Sequence, residues 1–162
     1  MDPLQLGPPQ LMADNMLGTL AKWLRVAGTD CEYADGMEDD DLVQVGLSGR
    51  LVLTRDKLLA QRCGEGGLYV ASDVLEEQLL QVLRTMPSLL EGEPLSRCLA
   101  CNVPVAVASP SGLRSSVPAG VLERHDEFWA CPRCGRAYWK GTHVEDMLDR
   151  LAIIRGRARE QP

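Results

Sequence analysis

Leu11-Met12-Ala13-Asp14-Asn15-Met16-Leu17-Gly18-Thr19-Leu20-Ala21-Lys22-Trp23-Leu24-Arg25-Val26-Ala27-Gly28 is the stretch on which the fold reading turns. A short apolar run leads into an acid, and the chain then changes period. Leu17, Leu20, Ala21, Leu24 and Ala27 recur at helical spacing, and Gly28 is a good helix stop. A strand too short to stand alone, followed by an amphipathic helix, is half of a strand–helix–strand unit.

The same grammar recurs three times downstream. Cys31-Glu32-Tyr33-Ala34 precedes an acidic cluster, Glu38 to Asp41, and a helical stretch to Leu47. Carboxylates suit a helix start, where the dipole favours negative charge. Gly46 and the Leu47-Ser48-Gly49 link weaken that helix. Leu51-Val52-Leu53-Thr54 precedes a helix from about Lys57 to Cys63, and Leu68-Tyr69-Val70-Ala71 precedes one from about Leu75 to Met86, ended by Pro87. Alternating strands and helices with short links predict an α/β fold with a parallel sheet flanked by helices. Crossover handedness then gathers the strand C-terminal ends on one edge, where functional groups of such sheets collect.

Acids occupy that edge. Asp14 follows the first strand, Asp56 the third and Asp73 the fourth, while Asp39 lies in the acidic start of the second helix. Carboxylates converging in one cleft repel each other unless a hard cation such as Mg²⁺ or Mn²⁺ joins them. With such a cation they can orient a phosphodiester and activate water. Asp also follows strands because it caps the next helix, and spacing does not choose between the two roles.

The second half carries two Cys-x-x-Cys knuckles, Cys98/Cys101 and Cys131/Cys134, with 29 residues between them. Paired knuckles of this spacing predict a zinc tetrahedron. The second knuckle continues Cys131-Pro132-Arg133-Cys134-Gly135, with the Pro and Gly that a tight turn needs. Disulfides or unrelated buried thiols are the other readings. Cys31 and Cys63 sit among apolar residues and read as small core side chains. Val103 to Val107, Glu127 to Ala130 and Ala137 to Trp139 are candidate short strands, and Ser109 to Ala119 reads as a loop. A last helix is expected from His143 to about Arg155. The domain reading is a flexible segment 1–10, an α/β domain 11–94 and a zinc ribbon with a C-terminal helix over 95–162.

Charge divides along the same line. Residues 1–96 carry 7 Lys/Arg and 16 Asp/Glu, whereas residues 97–162 carry 10 and 7. If nucleic acid binds, the second half supplies more of the phosphate attraction. Lys22 and Arg25, read on the polar face of the first helix, and His143 are the candidate nucleic-acid contacts. Trp129, Tyr138 and Trp139 could stack on bases, but a small zinc module has little else to bury. No Gly-rich loop follows a strand, which speaks against a nucleotide-binding doubly wound domain. Nothing approaches the roughly 18 apolar residues of a membrane span. The first ten residues lack the basic start and apolar run of a signal peptide. Thiols poised for metal suit a reducing compartment, cytoplasm or nucleus.

Met12-Ala13-Asp14-Asn15-Met16-Leu17-Gly18, continuing Leu20-Ala21-Lys22-Trp23-Leu24-Arg25, resembles the opening motif of the PIN-like ribonuclease module first noted at the C-terminus of MUT-seven-type exonucleases. Leu53-Thr54-Arg55-Asp56 and Ser72-Asp73 resemble its next two motifs. Arg124-His125-Asp126-Glu127-Phe128-Trp129, the second knuckle, and Tyr138-Trp139-x-Gly141-x-His143 resemble its zinc-ribbon half. The likeness spans about residues 11–150. It implies a PIN-like fold, a structural zinc and a metal-dependent ribonuclease acting on RNA, with DNA as a further possible substrate. By position it makes Asp14, Asp56 and Asp73 metal-binding acids and Asp39 the fourth, with Leu42 as its apolar partner. A non-catalytic nucleic-acid or protein adaptor is the alternative, in which the acids are caps and the ribbon does the binding.

Overall fold

The computed structural model describes residues 7–160; most of the segment expected to be flexible, up to Leu6, lies outside the described residues. Its first half comprises β1 (Gln10–Ala13), α1 (Gly18–Val26), β2 (Asp30–Tyr33), α2 (Asp39–Leu47), β3 (Leu51–Thr54), α3 (Lys57–Cys63), β4 (Gly67–Tyr69) and α4 (Leu75–Thr85). The strands form one parallel sheet in the order β2-β1-β3-β4. Leu11 pairs with Cys31 on one side and Leu51 on the other, so β1 is central.

Side-chain alternation along these strands fills two cores. Leu11, Ala13, Cys31 and Leu53 face α1 and α4 in the larger one. Met12 and Val52 face the other way, against Leu42 of α2 and Leu59 and Cys63 of α3. Burial on both faces is why the central strands β1 and β3 read as nearly unbroken apolar runs.

Gly46, which costs α2 some helical stability, has a packing role. A Cβ on Gly66 would lie 2.2 Å from the Gly46 carbonyl oxygen, and one on Gly46 would lie 3.0 Å from the Gly66 carbonyl oxygen. Two glycines let α2 and the turn after α3 touch through bare backbone. Gly28 ends α1 as expected, at φ +84°, where a left-handed residue is needed.

The second half holds β5 (Ala106–Ala108), α5 (Ala119–Arg124), β6 (Phe128–Ala130), β7 (Ala137–Tyr138) and α6 (Thr142–Arg159). β5, β6 and β7 form an antiparallel sheet. The stretch read as a loop contains a 3-10 turn, Pro110–Leu113, and reaches the start of α5, which lacks a clear period because it is only six residues long. Leu113, Val117 and Phe128 make a third small core, with Trp139 tilted against Phe128 at 6.3 Å.

α6 leaves this sheet and crosses back. Met147, Leu151, Ile154 and Ala158 enter the larger α/β core. Arg155 donates from Nη2 to the carbonyls of Ala27 and Gly92, at 2.8 and 2.9 Å. Among the described residues no helix is long and apolar enough to cross a membrane.

Candidate functional site

The sheet order places a topological switch between β1 and β3: the chain leaves β1 for β2 on one side and returns to β3 on the other. Loops diverge at the C-terminal ends of such strands and leave a crevice. Asp14 and Asp56 both follow strands at that switch.

Asp14 is only 4% exposed. Its Oδ1 accepts from the Met16 N–H at 2.8 Å, capping a 3-10 turn, and its Oδ2 accepts from the Thr54 hydroxyl at 2.5 Å. The Thr54 Oγ1 accepts in turn from the Asp56 N–H at 3.0 Å. A single buried threonine therefore ties the two strand-end acids together. Asp56 is exposed, and its Oδ1 accepts from Leu58 and Leu59 N–H at 2.9 and 3.2 Å, capping α3. No cation pairs with Asp14 among the described residues, where the ion pairs are Arg50–Asp30, Arg62–Asp40, Arg157–Glu76 and Arg159–Glu91.

Asp73 is exposed in the loop between β4 and α4. That loop is held by Gln81, whose Nε2 donates to Tyr69 O at 2.7 Å and whose Oε1 accepts from Ala71 N–H at 3.1 Å. Gln78 donates to Ser72 O at 2.9 Å, and Arg55 Nη2 donates to Ala71 O at 3.4 Å. Asp39 is the exposed first residue of α2; its neighbour Asp40 pairs with Arg62 of α3, and Leu42 is buried below. The topology thus brings the four acids to one end of the sheet. Their oxygens do not form a close group of three: among the described residues, the four cysteines are the group of three or more metal-binding side chains.

The cysteine cluster is tight. Its four sulfurs lie within 4.8 Å of one another, and Cys98 Sγ is 3.8 Å from Cys134 Sγ. Four thiolates at about 2.3 Å from zinc would be about 3.8 Å apart along a tetrahedral edge. Backbone N–H groups of Cys101 and Cys134 each point at the first sulfur of their own knuckle at 3.4 Å, the turn that presents two ligands together. The cluster could therefore hold zinc. Neither histidine belongs to it.

Tyr138 is the neighbour that the sequence reading missed as a partner of this cluster. Its hydroxyl accepts from the Leu99 N–H at 3.0 Å and lies 3.1 Å from Cys98 Sγ. Burial pushes the Cys98 thiol up, but the bonds from Tyr138 and from the Cys101 and Ala100 N–H groups outweigh it and bring it to about 6. Partial burial and the neighbouring thiols push Cys101 up to about 12. A dication bound here would take all four sulfurs as thiolates.

The first knuckle docks on β2, an edge strand with free peptide groups. The Asn102 side chain accepts from the Cys31 N–H at 3.0 Å and donates to Asp30 at 2.7 Å. Arg25 corrects the sequence reading, which set it on the polar face of α1. It is 7% exposed, its Nε donates to Cys31 O at 2.8 Å, and its Nη1 donates to Leu99 O at 2.7 Å. Its guanidinium joins α1, β2 and the knuckle, an arrangement that turns on contacts some seventy residues away in sequence. Lys22 is exposed on α1, and His143 is exposed in the first turn of α6.

A family model described as "Mut7-C RNAse domain" matches residues 9–151, nearly the whole chain, and the chain belongs to that family. No curated protein and no solved structure matches it.

Proposed function

We propose that this member of the Mut7-C RNase domain family is a metal-dependent ribonuclease with a PIN-like sheet, cutting RNA internally by hydrolysis at the carboxylate edge. The observation that carries the reading is Asp14: a nearly buried carboxylate at the switch point, with two hydrogen bonds and no cationic partner among the described residues. A buried charge without a counterion is costly, and a divalent cation would supply the compensation. The donor set, carboxylate oxygens from Asp14, Asp56 and Asp73 with Asp39 beside them, suits Mg²⁺ or Mn²⁺. Such an ion would supply Lewis acidity and a more acidic bound water.

The chain's own groups have separate tasks. Thr54 fixes the rotamer of Asp14 by donating to Oδ2 and, through the Asp56 N–H, sets the start of α3. Gln78 and Gln81 hold the loop that carries Asp73. Zinc at the four cysteines has a structural task, with Tyr138 orienting Cys98. Lys22 and His143 are offered as contacts to RNA; Arg25 is committed to carbonyl groups.

A second reading has its own observation. Asp14 and Asp56 both serve as caps, which is what a non-catalytic adaptor would also show. One experiment separates the two. Zinc-loaded protein is incubated with structured and single-stranded RNA, with and without Mn²⁺, beside an Asp14→Asn/Asp56→Asn variant. Mn²⁺-dependent internal cuts absent from the variant support the nuclease. RNA binding without cleavage in either protein supports the adaptor.

A further inference from the structure

The carboxylate edge leaves one sizeable hollow of the molecule unused. A cavity of about 640 Å³ opens between α5, β7 and the start of α6. Arg124, His125, Lys140 and His143 line it together with the Trp139 indole, and Glu145 is the one carboxylate among its lining residues. Arg124 and Lys140 belong to none of the ion pairs among the described residues. In a chain of net charge −6, two unneutralised cations and two imidazoles around one hollow form an exception that matches an anion.

The aromatic wall narrows the kind of anion. A Cβ on Gly141 would lie 3.2 Å from the Trp139 Nε1, so glycine there lets the indole lie against the chain entering α6. Lys140 lines the cavity while its ammonium stands 5.9 Å from the centre of the Trp129 ring, which lies outside the lining. Half-buried indole beside free cations is the combination that takes a base and its phosphate together. The volume is of the order that encloses a small ligand or one nucleotide unit.

Position relates this hollow to the acids. Arg155 of α6 reaches the carbonyl of Ala27, and Arg150 of α6 stacks over Trp23 at 5.0 Å. The two contacts have nearly the same offset in sequence, so α6 runs parallel to α1. The start of α6, one wall of the cavity, therefore points toward the end of the sheet at which α1 begins, the end that bears the strand-end acids.

We infer that the cavity lined by Arg124, Trp139, Lys140 and His143 binds one nucleotide of a single-stranded RNA whose neighbouring phosphates extend toward the carboxylate edge. This deepens the ribonuclease reading and rests on it for the direction of the strand, while binding in the cavity can be measured without cleavage. Phosphate attraction from the cavity would bring the polyanion to a sheet edge whose own charge repels it.

The test uses the full chain, zinc-loaded, in buffer without added divalent ions, with a fluorescent single-stranded RNA of mixed sequence. The parent is compared with an Arg124→Ala/Lys140→Ala/His143→Ala variant, whose changed side chains are exposed. Zinc content and thermal unfolding check that the variant is folded, and Lys140→Arg serves as the conservative control. The expected result is at least about tenfold weaker binding in the triple variant, a shallower dependence of affinity on salt, and near-parent binding by Lys140→Arg. Equal binding by folded triple variant and parent, or no RNA binding by the parent, overturns the inference. Cleavage with Mn²⁺ is read on the same proteins. A parent that cuts RNA while the triple variant binds and cuts as well leaves the nuclease and removes the cavity. A parent that binds through the cavity and never cuts keeps the cavity and removes the nuclease.

Discussion

Thr54 donates its hydroxyl to Asp14 at 2.5 Å while accepting the Asp56 N–H at 3.0 Å, so one buried side chain spans both strands at the switch point. Its removal separates support of the site from the carboxylates themselves. Thr54→Val keeps shape and deletes the donor. It leaves Asp14 with one hydrogen bond fewer in a buried setting, at a cost of about 1–3 kcal/mol. Expected outcomes are a lower unfolding midpoint in urea and Mn²⁺-dependent cleavage reduced at least tenfold. Asp14→Asn, which keeps the cap and removes the charge, is expected to lose cleavage by more than a hundredfold with a smaller change in stability. Cleavage at the parental rate in Asp14→Asn would remove Asp14 from the site.

Tyr138→Phe deletes one hydroxyl beside the cysteine cluster. Partners that orient ligating groups are worth about 10–100-fold in metal affinity. Competition for zinc with a chromophoric chelator should show a loss in that range, with the antiparallel sheet still folded at saturating zinc. Unchanged affinity would mean that the Tyr138 bond to Cys98 is incidental. Stripping the metal altogether is expected to loosen β5 to β7, read as faster amide exchange there than in the parallel sheet.

Asn102 and Asp30 lock the first knuckle to the edge of the sheet. Asn102→Ala removes the partner of a buried N–H and adopts less readily the left-handed backbone seen there, φ +64°. A loss of about 1–3 kcal/mol is expected in denaturant titrations. Asp30 adds a pH dependence. Burial raises its affinity for a proton, but bonds from Arg50 and Asn102 outweigh this and hold it below its ordinary 3.8. A depressed carboxylate contributes stability above pH 3.8 that is lost as the pH falls through its folded value. The stability gap between parent and Asp30→Asn should therefore be full near neutrality and close below pH 3.8. A gap that persists in stronger acid would point to lost packing instead of lost charge.

Gly66→Ala would put a methyl group 2.2 Å from the Gly46 carbonyl oxygen, with backbone on both sides. The strain should cost at least about 2 kcal/mol. Gly49→Ala meets nothing within 4 Å, although its backbone is left-handed, and should cost less than Gly66→Ala. Thermal unfolding of the two variants side by side ranks them; equal midpoints would show that α2 can move away from the turn.

Much of the fold was legible because local rules and tertiary demands agree in it. Short, mostly apolar runs with helices between them mark a sheet covered by helices, and β3 and α3 fall where the pattern sets them. Helix α5 and the destiny of α6 were harder. A six-residue helix has no period to detect, and the side chains Met147, Leu151, Ile154 and Ala158 mark an apolar face without naming what covers it.

The candidate site divides in the same way. Spacing alone indicated the four cysteines, because a ligand pair three residues apart is a local property, and the sulfurs do gather. The acids were visible one by one after their strands, whereas the threonine that joins two of them was not. Arg25 shows the physical reason most clearly. In sequence it is a cation on a helix, equally suited to water or phosphate. Only folding brings Leu99, more than seventy residues away, within 2.7 Å, and burial then commits the guanidinium to carbonyls. Residue type and period determined the strands, the helices and the knuckles. Which polar groups remain free to act was decided by long-range contacts, since a buried donor must find a partner and sequence spacing does not say where that partner is.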